Sequence, residues 1–467
     1  MDACGTELVT RTPGLACGLA LVALASCQGY ERRPLMPEVH RVAWHARSLE
    51  DGSLREFLAR LDRDLDDRTD GFDPEDGLTL SEGQLVALAF NPNLRMARLR
   101  VGHRAATAEN AGLWDDPQLS LNVLRVTESV PDPWVVVSGL SFTIPLSGRL
   151  DAERDVADAR YRAAQHEALE AEWTVWFEVR RAWVEWSAAM LRVEETERFV
   201  AAMDGLVRTA AQLAESGELP RTEASLFAVE QAQRRNQLRR LSGEVAATEQ
   251  RLRALMGLSP EAPVTLVPSL HTGQAVAEDS LAQLATRNPS LARLCQEYEV
   301  AEEALRHEVR KQYPDLTLGP LFENEEGQSR VGLLGAIPLP FLNANRLGIA
   351  EARVGRELAR AAFETKYEIL AGRWAATAAL AEALADQRTD IEEVLVPLVD
   401  GQLENAVELM RLGEGSSLVL LESLTRAFQT KLELIEVRSA EGLARAELEY
   451  LTGPPDGRST DAKEETP

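Results

Sequence analysis

The stretch Gly335-Ala336-Ile337-Pro338-Leu339-Pro340-Phe341-Leu342-Asn343-Ala344-Asn345-Arg346-Leu347-Gly348 separates two kinds of pattern. Before it lie two short alternating runs, Asp315 to Glu323 and Arg330 to Ile337, around Asn324-Glu325-Glu326-Gly327-Gln328. After it an Ala-rich helical pattern runs without proline until Pro397. Pro338 and Pro340 lack the N–H that a continued strand ladder needs, so the stretch reads as a strand-to-helix hinge, with Gly348 allowing close helix packing. A related hinge, Phe142-Thr143-Ile144-Pro145-Leu146-Ser147-Gly148-Arg149, stands 193 residues earlier by its proline. It too follows two short runs and precedes a long helical pattern, so the chain reads as one module written twice.

Working outward, Asn91-Pro92 and Asn288-Pro289 form a second pair of landmarks, 197 positions apart. Each interrupts a helical stretch, about 80–114 and 276–312, and Pro is tolerated in the first turn of a restarted helix. Thr79 or Ser81 is placed to cap the first of these stretches. Four strands are expected in two hairpins, at about 118–127, 134–144, 315–323 and 330–337. Their length suits tilted strands of an outer-membrane barrel. One chain holds too few to close a barrel, and an open edge cannot sit in lipid, so the pattern calls for several copies.

The helices are much longer than a globular domain requires. Arg149 to about Leu213 has no proline and, at 1.5 Å per residue, spans about 100 Å. Trp176, Val179, Trp183, Trp186, Met190 and Val193 recur at steps of three and four, which is a packing seam, and Val200, Met203, Val207 and Ala210 continue it. In the second half Phe363, Tyr367, Leu370, Trp374, Thr377, Ala381 and Leu384 keep the same rhythm. Ile391, Leu395, Leu398, Leu409 and Leu412 extend it, with Gln402 and Asn405 in seam slots and Pro397 as a bend or interruption. Each long helix ends at a turn, Glu215-Ser216-Gly217-Glu218-Leu219-Pro220 or Arg411-Leu412-Gly413-Glu414-Gly415-Ser416-Ser417. A shorter helix returns from each turn. The helix before each hairpin is expected to stack end to end with it, giving a tall helix-walled cylinder.

Composition sets the outer bounds. The formal charge is −25, with 75 acidic and 50 basic side chains, which disfavours nucleic acid. Hydrophobic residues make up 45% of the chain and aromatics only 5%, a balance typical of long helices. Leu15 to Ser26 is apolar but too short to span a bilayer, and it reads as a signal peptide over 1–26. Leu24-Ala25-Ser26-Cys27 resembles a bacterial lipoprotein processing box, which makes Cys27 the expected acylated first residue. The n-region departs from that pattern, with Asp2 and Glu7 against Arg11 alone. Residues 27–78 read as a lipidated lead-in, 79–258 and 276–452 as two repeats, 259–275 as the link between them, and 453–467 as a disordered tail. The six histidines and four cysteines form no zinc pattern, so no metal site, catalytic residue or cofactor is expected.

Over about residues 79–452 this arrangement resembles the outer-membrane factor family of bacterial efflux systems, the TolC-like proteins. The resemblance rests on the paired Asn-Pro segments, the hinges at Ile144-Pro145-Leu146 and Ile337-Pro338-Leu339, and the turns at Gly217 and Gly413. The fuller second hinge is most similar to the CzcC branch, associated with heavy-metal export by resistance-nodulation-division (RND) pumps. It departs at Leu342-Asn343-Ala344-Asn345, which is one residue looser than the branch's usual run. The resemblance implies a mostly α fold with a small membrane β-barrel. Three copies would give twelve strands, above a periplasmic coiled-coil tunnel. It also implies a homotrimer in outer-membrane lipid, working with a periplasmic adaptor (a membrane fusion protein) and an inner-membrane RND pump.

Under this reading Gly217, Glu218, Gly413, Glu414 and Gly415 are candidates for the tunnel tip and adaptor contact. Glu215, Glu218 and Glu414 are candidate gate charges, and Pro145, Gly148, Pro338, Pro340 and Gly348 form the barrel–tunnel hinge. Conduction would be passive, with divalent heavy-metal cations as the implied cargo. The competing readings are a TolC-like channel for drugs or other small organic molecules, and a coiled-coil periplasmic lipoprotein scaffold without a pore.

Overall fold

The computed structural model describes residues 29–64, 72, 76–128, 131, 133–270, 280–325 and 328–454. The expected leader, Cys27 and the tail from residue 455 lie outside these. The chain forms two compact units, residues 1–46 and 47–467. The first contains helix α1 (Pro37–His45), begun by Pro37 with Glu38 in its first turn. Everything below concerns the second.

The paired Asn-Pro segments are joints between helices. Thr79 and Glu82 form a reciprocal capping box that starts α3 (Leu80–Phe90). Asn91 then caps α4 (Pro92–Glu109), accepting from the Asn93 and Leu94 amides, while its own amide donates to the Leu255 carbonyl at 2.8 Å. Leu255 is the last residue of α6 (Arg221–Leu255), so α4 stacks on the end of the returning helix. The second half repeats the device. Asn288 caps α8 (Pro289–Arg310), which follows α7 (Ser280–Arg287), by accepting from the Leu291 amide, and it donates to the Leu451 carbonyl at 2.7 Å. Leu451 lies at the end of α11 (Ser417–Thr452). Gly257 and Gly453 both have positive φ, and a Cβ on either would lie 2.2 Å from the carbonyl oxygen of Phe90 or Arg287. Only glycine permits that approach.

The long helices are α5 (Arg149–Ser216) in the first half and α9 (Arg346–Asp390) with α10 (Val396–Arg411) in the second. Between α9 and α10 lies a π-turn, Ile391–Leu395, where the Val396 amide donates to the Ile391 carbonyl. Pro397 accounts for it: its ring has no N–H and excludes the carbonyl four residues earlier, so the ladder slips. The slip corrects the expected seam. Beyond Ile391, the positions Leu395, Leu398, Gln402, Asn405, Leu409 and Leu412 are exposed. The inward positions come one residue later, at Val396, Val399, Leu403, Ala406 and Met410. Ahead of the slip the seams fall as expected, with Val179, Trp183, Trp186, Met203, Leu370 and Ala381 buried.

Four antiparallel strands form one sheet in the order β1-β2-β3-β4: β1 (Gln118–Arg125), β2 (Trp134–Ile144), β3 (Leu316–Glu325) and β4 (Gln328–Ala336). The two hairpins are joined through β2 and β3, with Gly139 opposite Leu321 and Thr143 opposite Thr317. A Cβ on Gly319 would lie 1.7 Å from the Leu140 carbonyl oxygen, so the central pairing depends on that glycine.

The lead-in and the link are less independent than the sequence suggests. Leu54, in α2 (Gly52–Asp64), and Leu78 are fully buried in the largest core cluster, with Val179, Trp183 and Met256. Leu78 also bridges Leu266 of the inter-repeat link, and the Trp183 indole donates to the Val267 carbonyl. Residues 259–270 therefore lie against the first repeat.

Candidate functional site

Register gives the sheet two chemically distinct faces, because residues directly opposite one another share a face. One row across all four strands reads Leu121, Ser138, Phe322, Val331. With Leu119, Val123, Leu140, Phe142, Leu318 and Leu333 it makes a mainly apolar face. The next row reads Asn122, Val137, Glu323, Arg330, and Gln118, Ser120, Ser141, Thr143 and Thr317 join it on a more polar face. Arg330 pairs there with Glu325 at 3.0 Å and reaches Glu323 at 3.8 Å. Both outer strands, β1 and β4, leave one edge unpaired and expose Leu119, Leu121, Val331 and Leu333. No helix among the described residues is long and apolar enough to cross a membrane.

Below the sheet the two hinges differ in length. Pro145 follows directly on β2, and Gly148, with φ +69°, begins α5. In the second half nine residues, 337–345 with Pro338 and Pro340, separate β4 from α9. Asn345, with φ +49°, takes the place of Gly148. The Asn345 amide donates to the Glu308 carboxylate at 2.6 Å and to the Glu308 carbonyl at 2.8 Å. A Cβ on Gly348 would lie 2.4 Å from the same Glu308 carboxylate, so glycine there lets α8 and α9 meet. Burial alone would raise the Glu308 carboxyl, but hydrogen bonds from Lys311 and Asn345 outweigh it and hold the group below its usual range.

Sequence reasoning missed Arg149. Its guanidinium donates to Asp115 at 2.9 Å and to Asp315 at 2.8 Å, tying together the entries to β1 and β3, one from each repeat. A signal was visible in the acidic residue ahead of each first strand. The partner was not, because it depends on β2 lying beside β3.

At the far end of the helices the structure brings the two turns together. Gly217, with φ +83°, ends α5, and the Glu218 and Leu219 amides close back on the Leu213 carbonyl. Gly413, with φ +76°, ends α10, and the Glu414 amide bonds the Leu409 carbonyl. A Cβ on Gly415 would lie 2.6 Å from the Met410 nitrogen, so the tight return requires glycine. The Ser417 hydroxyl donates to Glu223 at 3.4 Å, joining the starts of α11 and α6. Phe199, Met203, Phe227 and Phe428 pack behind the turns. Glu215, Glu218 and Glu414 are exposed around them, and no ion pair holds them among the described residues. Cys27 lies outside the described residues.

One ionic cluster clamps the π-turn. Arg388 bridges fully buried Glu441 of α11 at 2.8 Å and Glu392 at 2.7 Å, and Arg438 holds Glu392 at 2.7 Å. Burial alone would raise the Glu392 carboxyl, but Arg438 and Arg388 outweigh it and hold it below the usual carboxylate range.

Residues 86–258 match the family model described as outer membrane efflux protein. No curated protein matches the chain. Among solved structures, CusC, whose report concerns transmembrane channel formation, aligns with a TM-score of 0.69 at 17% identity, over 80% of this chain and 92% of its own. The outer membrane protein VceC from Vibrio cholerae gives 0.65 at 18% identity, over 80% and 96%. The Campylobacter jejuni CmeC outer membrane channel gives 0.68 at 11%, over 91% and 93%. Such identities establish the fold, which is that of outer-membrane channels with a small barrel on a helical tunnel. Neither that fold nor the matched family is one of enzymes.

Proposed function

We propose, on the premise that residues 86–258 are an outer membrane efflux protein domain within a channel fold, that this chain is one protomer of a trimeric conduit. Three copies bring twelve strands to a closed barrel in the outer membrane, and their helices form the tunnel below it in the periplasm. The carrying observation is the sheet: four strands with an apolar and a polar face and two open edges, mounted on helices about 100 Å long. A sheet with open edges is not viable in lipid, whereas closure through neighbouring copies satisfies both edges.

The channel receives substrate passively from an inner-membrane RND pump through a periplasmic adaptor. The adaptor docks at the exposed turns around Gly217, Glu218, Gly413, Glu414 and Gly415. Glu215, Glu218 and Glu414 set the charge of the tunnel mouth, and Pro145, Gly148, Pro338, Pro340 and Gly348 join barrel to tunnel. Cys27 carries the lipid that anchors the mature chain. The second hinge, with its likeness to the CzcC branch, favours divalent heavy-metal cations as cargo.

Electrophoresis of outer-membrane extracts without boiling tests the assembly. Boiling should convert an oligomer of three chains to monomers; a band at the monomer position before heating refutes it. Deleting the gene and measuring susceptibility to divalent heavy metals and to organic toxicants tests the cargo. Sensitivity to organic compounds alone refutes the metal assignment.

A further inference from the structure

The two hinges differ by an insertion, and the inserted stretch is apolar and exposed. Their prolines, Pro145 and Pro338, stand 193 positions apart, whereas Gly148 and Asn345, the residues before the long helices, stand 197 apart. The second hinge is therefore four residues longer, and Pro340-Phe341-Leu342-Asn343 fill the added length. The short hinge exposes one large apolar side chain, Leu146. The long one exposes Ile337 at 50%, Leu339 at 69%, Phe341 at 74% and Leu342 at 83%. Both of its ends are fixed: Ala336 pairs with Thr317 in the sheet, and Asn345 is tied to Glu308 of α8. Ala344 and Asn345 take φ of +45° and +49°, which turns the chain sharply into α9. The apolar residues are held out on an anchored loop.

Residues two apart share a face of an extended chain. On β4 the apolar face carries Val331, Leu333 and Gly335, and the same parity continues into Ile337, Leu339 and Phe341. A residue before proline is confined to extended backbone, so Ile337 and Leu339 keep that parity beyond the last ladder pair. Height decides what this adds. From Val331 to Gly335 the strand advances about 14 Å at ~3.4 Å per residue, or about 10 Å of height at a tilt of about 40°. An outer-membrane barrel presents an apolar band about 25 Å tall. On β2 the row from Val136 to Ile144 reaches about 21 Å of height inside its own ladder. β4 reaches the same about 21 Å only if its row runs on to Leu339, with Phe341 and Leu342 at the turn beyond. An unpaired N–H is costly in lipid, and Pro338 and Pro340 have none, which suits them to a segment that has left the ladder.

We infer that the second hinge is itself a lipid-binding segment, with Ile337, Leu339, Phe341 and Leu342 seated in the periplasmic leaflet of the outer membrane. This rests on the barrel proposed above and moves the lower limit of its lipid contact below the last ladder pair, to the turn before α9. The occupant is phospholipid because the exposed row is continuous with the face that the barrel turns to lipid and supplies the height that β4 lacks. Trp114 and Tyr313, both exposed, precede β1 and β3 at the same end of the sheet, where aromatic side chains mark a bilayer interface. The first repeat is thus seated in lipid by its strand, and the second by its hinge.

The test uses the full-length oligomer reconstituted in phospholipid vesicles, with Cys295→Ser as background and the same protein without an added cysteine as blank. Leu339→Cys and Phe341→Cys are each labelled with a nitroxide, and its collisions with oxygen, which concentrates in lipid, are compared with those of a water-soluble nickel chelate. Leu333→Cys reports the lipid face of the ladder, and Glu414→Cys reports water. Because the hydrocarbon layer excludes water and the chelate, the oxygen-to-nickel ratio at both hinge sites should lie within about threefold of Leu333→Cys and about tenfold or more above Glu414→Cys. Hinge labels reached by nickel, with Leu333→Cys in lipid, would overturn the inference and leave the barrel standing. Hinge labels reached by neither reagent would also overturn it, since protein would then cover the segment. A Leu333→Cys label in water would overturn both the inference and the barrel. Leu342→Cys, with the same expected ratio, replaces either hinge variant that fails to assemble. Failure of all three while Leu333→Cys assembles would count against the lipid contact, because a lipid-facing position accommodates the label.

Discussion

Replacing Asn288 by Ala should loosen the joint between α8 and α11 by a calculable amount. The side chain does two jobs: it accepts the Leu291 amide as an N-cap and donates to the Leu451 carbonyl, with Leu291 and Leu451 fully buried. Loss of the cap costs about 1 kcal/mol. Leaving a buried carbonyl without its donor costs about 1–3 kcal/mol more. The total of about 2–4 kcal/mol corresponds to roughly 30- to 1000-fold faster exchange of the Leu291 amide, at about 1.4 kcal/mol per tenfold. Hydrogen exchange read by mass spectrometry on peptides covering 288–295 measures it locally, without requiring reversible unfolding of the whole complex. Asn288→Ser separates the two terms, because serine keeps the cap and loses the donor. Its exchange should lie between wild type and Ala. Asn91→Ala should act on Asn93 and Leu94 in the same way. An Asn288→Ala protein whose 288–295 amides exchange within threefold of wild type would refute the two-job reading of the joint.

Other outcomes follow from named contacts. Gly348→Ala places a methyl against the Glu308 carboxylate that Asn345 holds, so the boiling-sensitive oligomer should dissociate at lower temperature, whereas Gly355→Ala, in open space on the same helix, should not change it. The Glu392 carboxyl titrates below its unfolded value, so its contribution is present above that value, about 4.3, and is lost as pH falls through the lower folded one. Exchange protection around 391–399 should therefore hold from pH 7 to about 5 and fall below it in wild type, and Glu392→Gln should remove that part of the pH dependence. Replacing Glu215, Glu218 and Glu414 together by Ala should weaken the salt dependence of conductance; an unchanged dependence would remove them from the tunnel mouth. Cys27→Ser should abolish incorporation of labelled palmitate, and persistent labelling would exclude Cys27 as the anchor.

The parts of this fold legible in the sequence are those written in residues with local consequences. Prolines at 92, 145, 289 and 338 and glycines at 217 and 413 fix where elements begin and stop, and their doubling exposes the repeat. Alternation in Leu119, Leu121 and Val123 marks a strand whatever its neighbours are. What stayed hidden depends on partners distant in sequence or on a ladder's choice. Pro397 announced an interruption, but whether the helix would kink or slip by one residue was set by how the freed carbonyls were re-paired. The slip put Leu398 and Leu412 on the outside. Leu54 and Leu78 lie in an acidic, proline-containing lead-in whose composition resembles a linker, yet they fill gaps in a core built mostly by α3 and α5. Arg149 was one of many basic residues until the sheet order placed Asp115 and Asp315 beside it. At the tip, the glycines could be read from the sequence because positive φ restricts the choice of residue. The approach of Glu223 to Ser417 could not.

A pore across the outer membrane is the claim on which the proposed function depends, and single-channel recording tests it directly. Oligomer purified from outer membranes, with its helical content intact, should insert into a planar lipid bilayer and give discrete current steps, one size per inserted complex. Boiled monomer should give none. Intact, inserted oligomer that carries no ionic current at any applied potential would contradict the channel and leave a helical scaffold in its place.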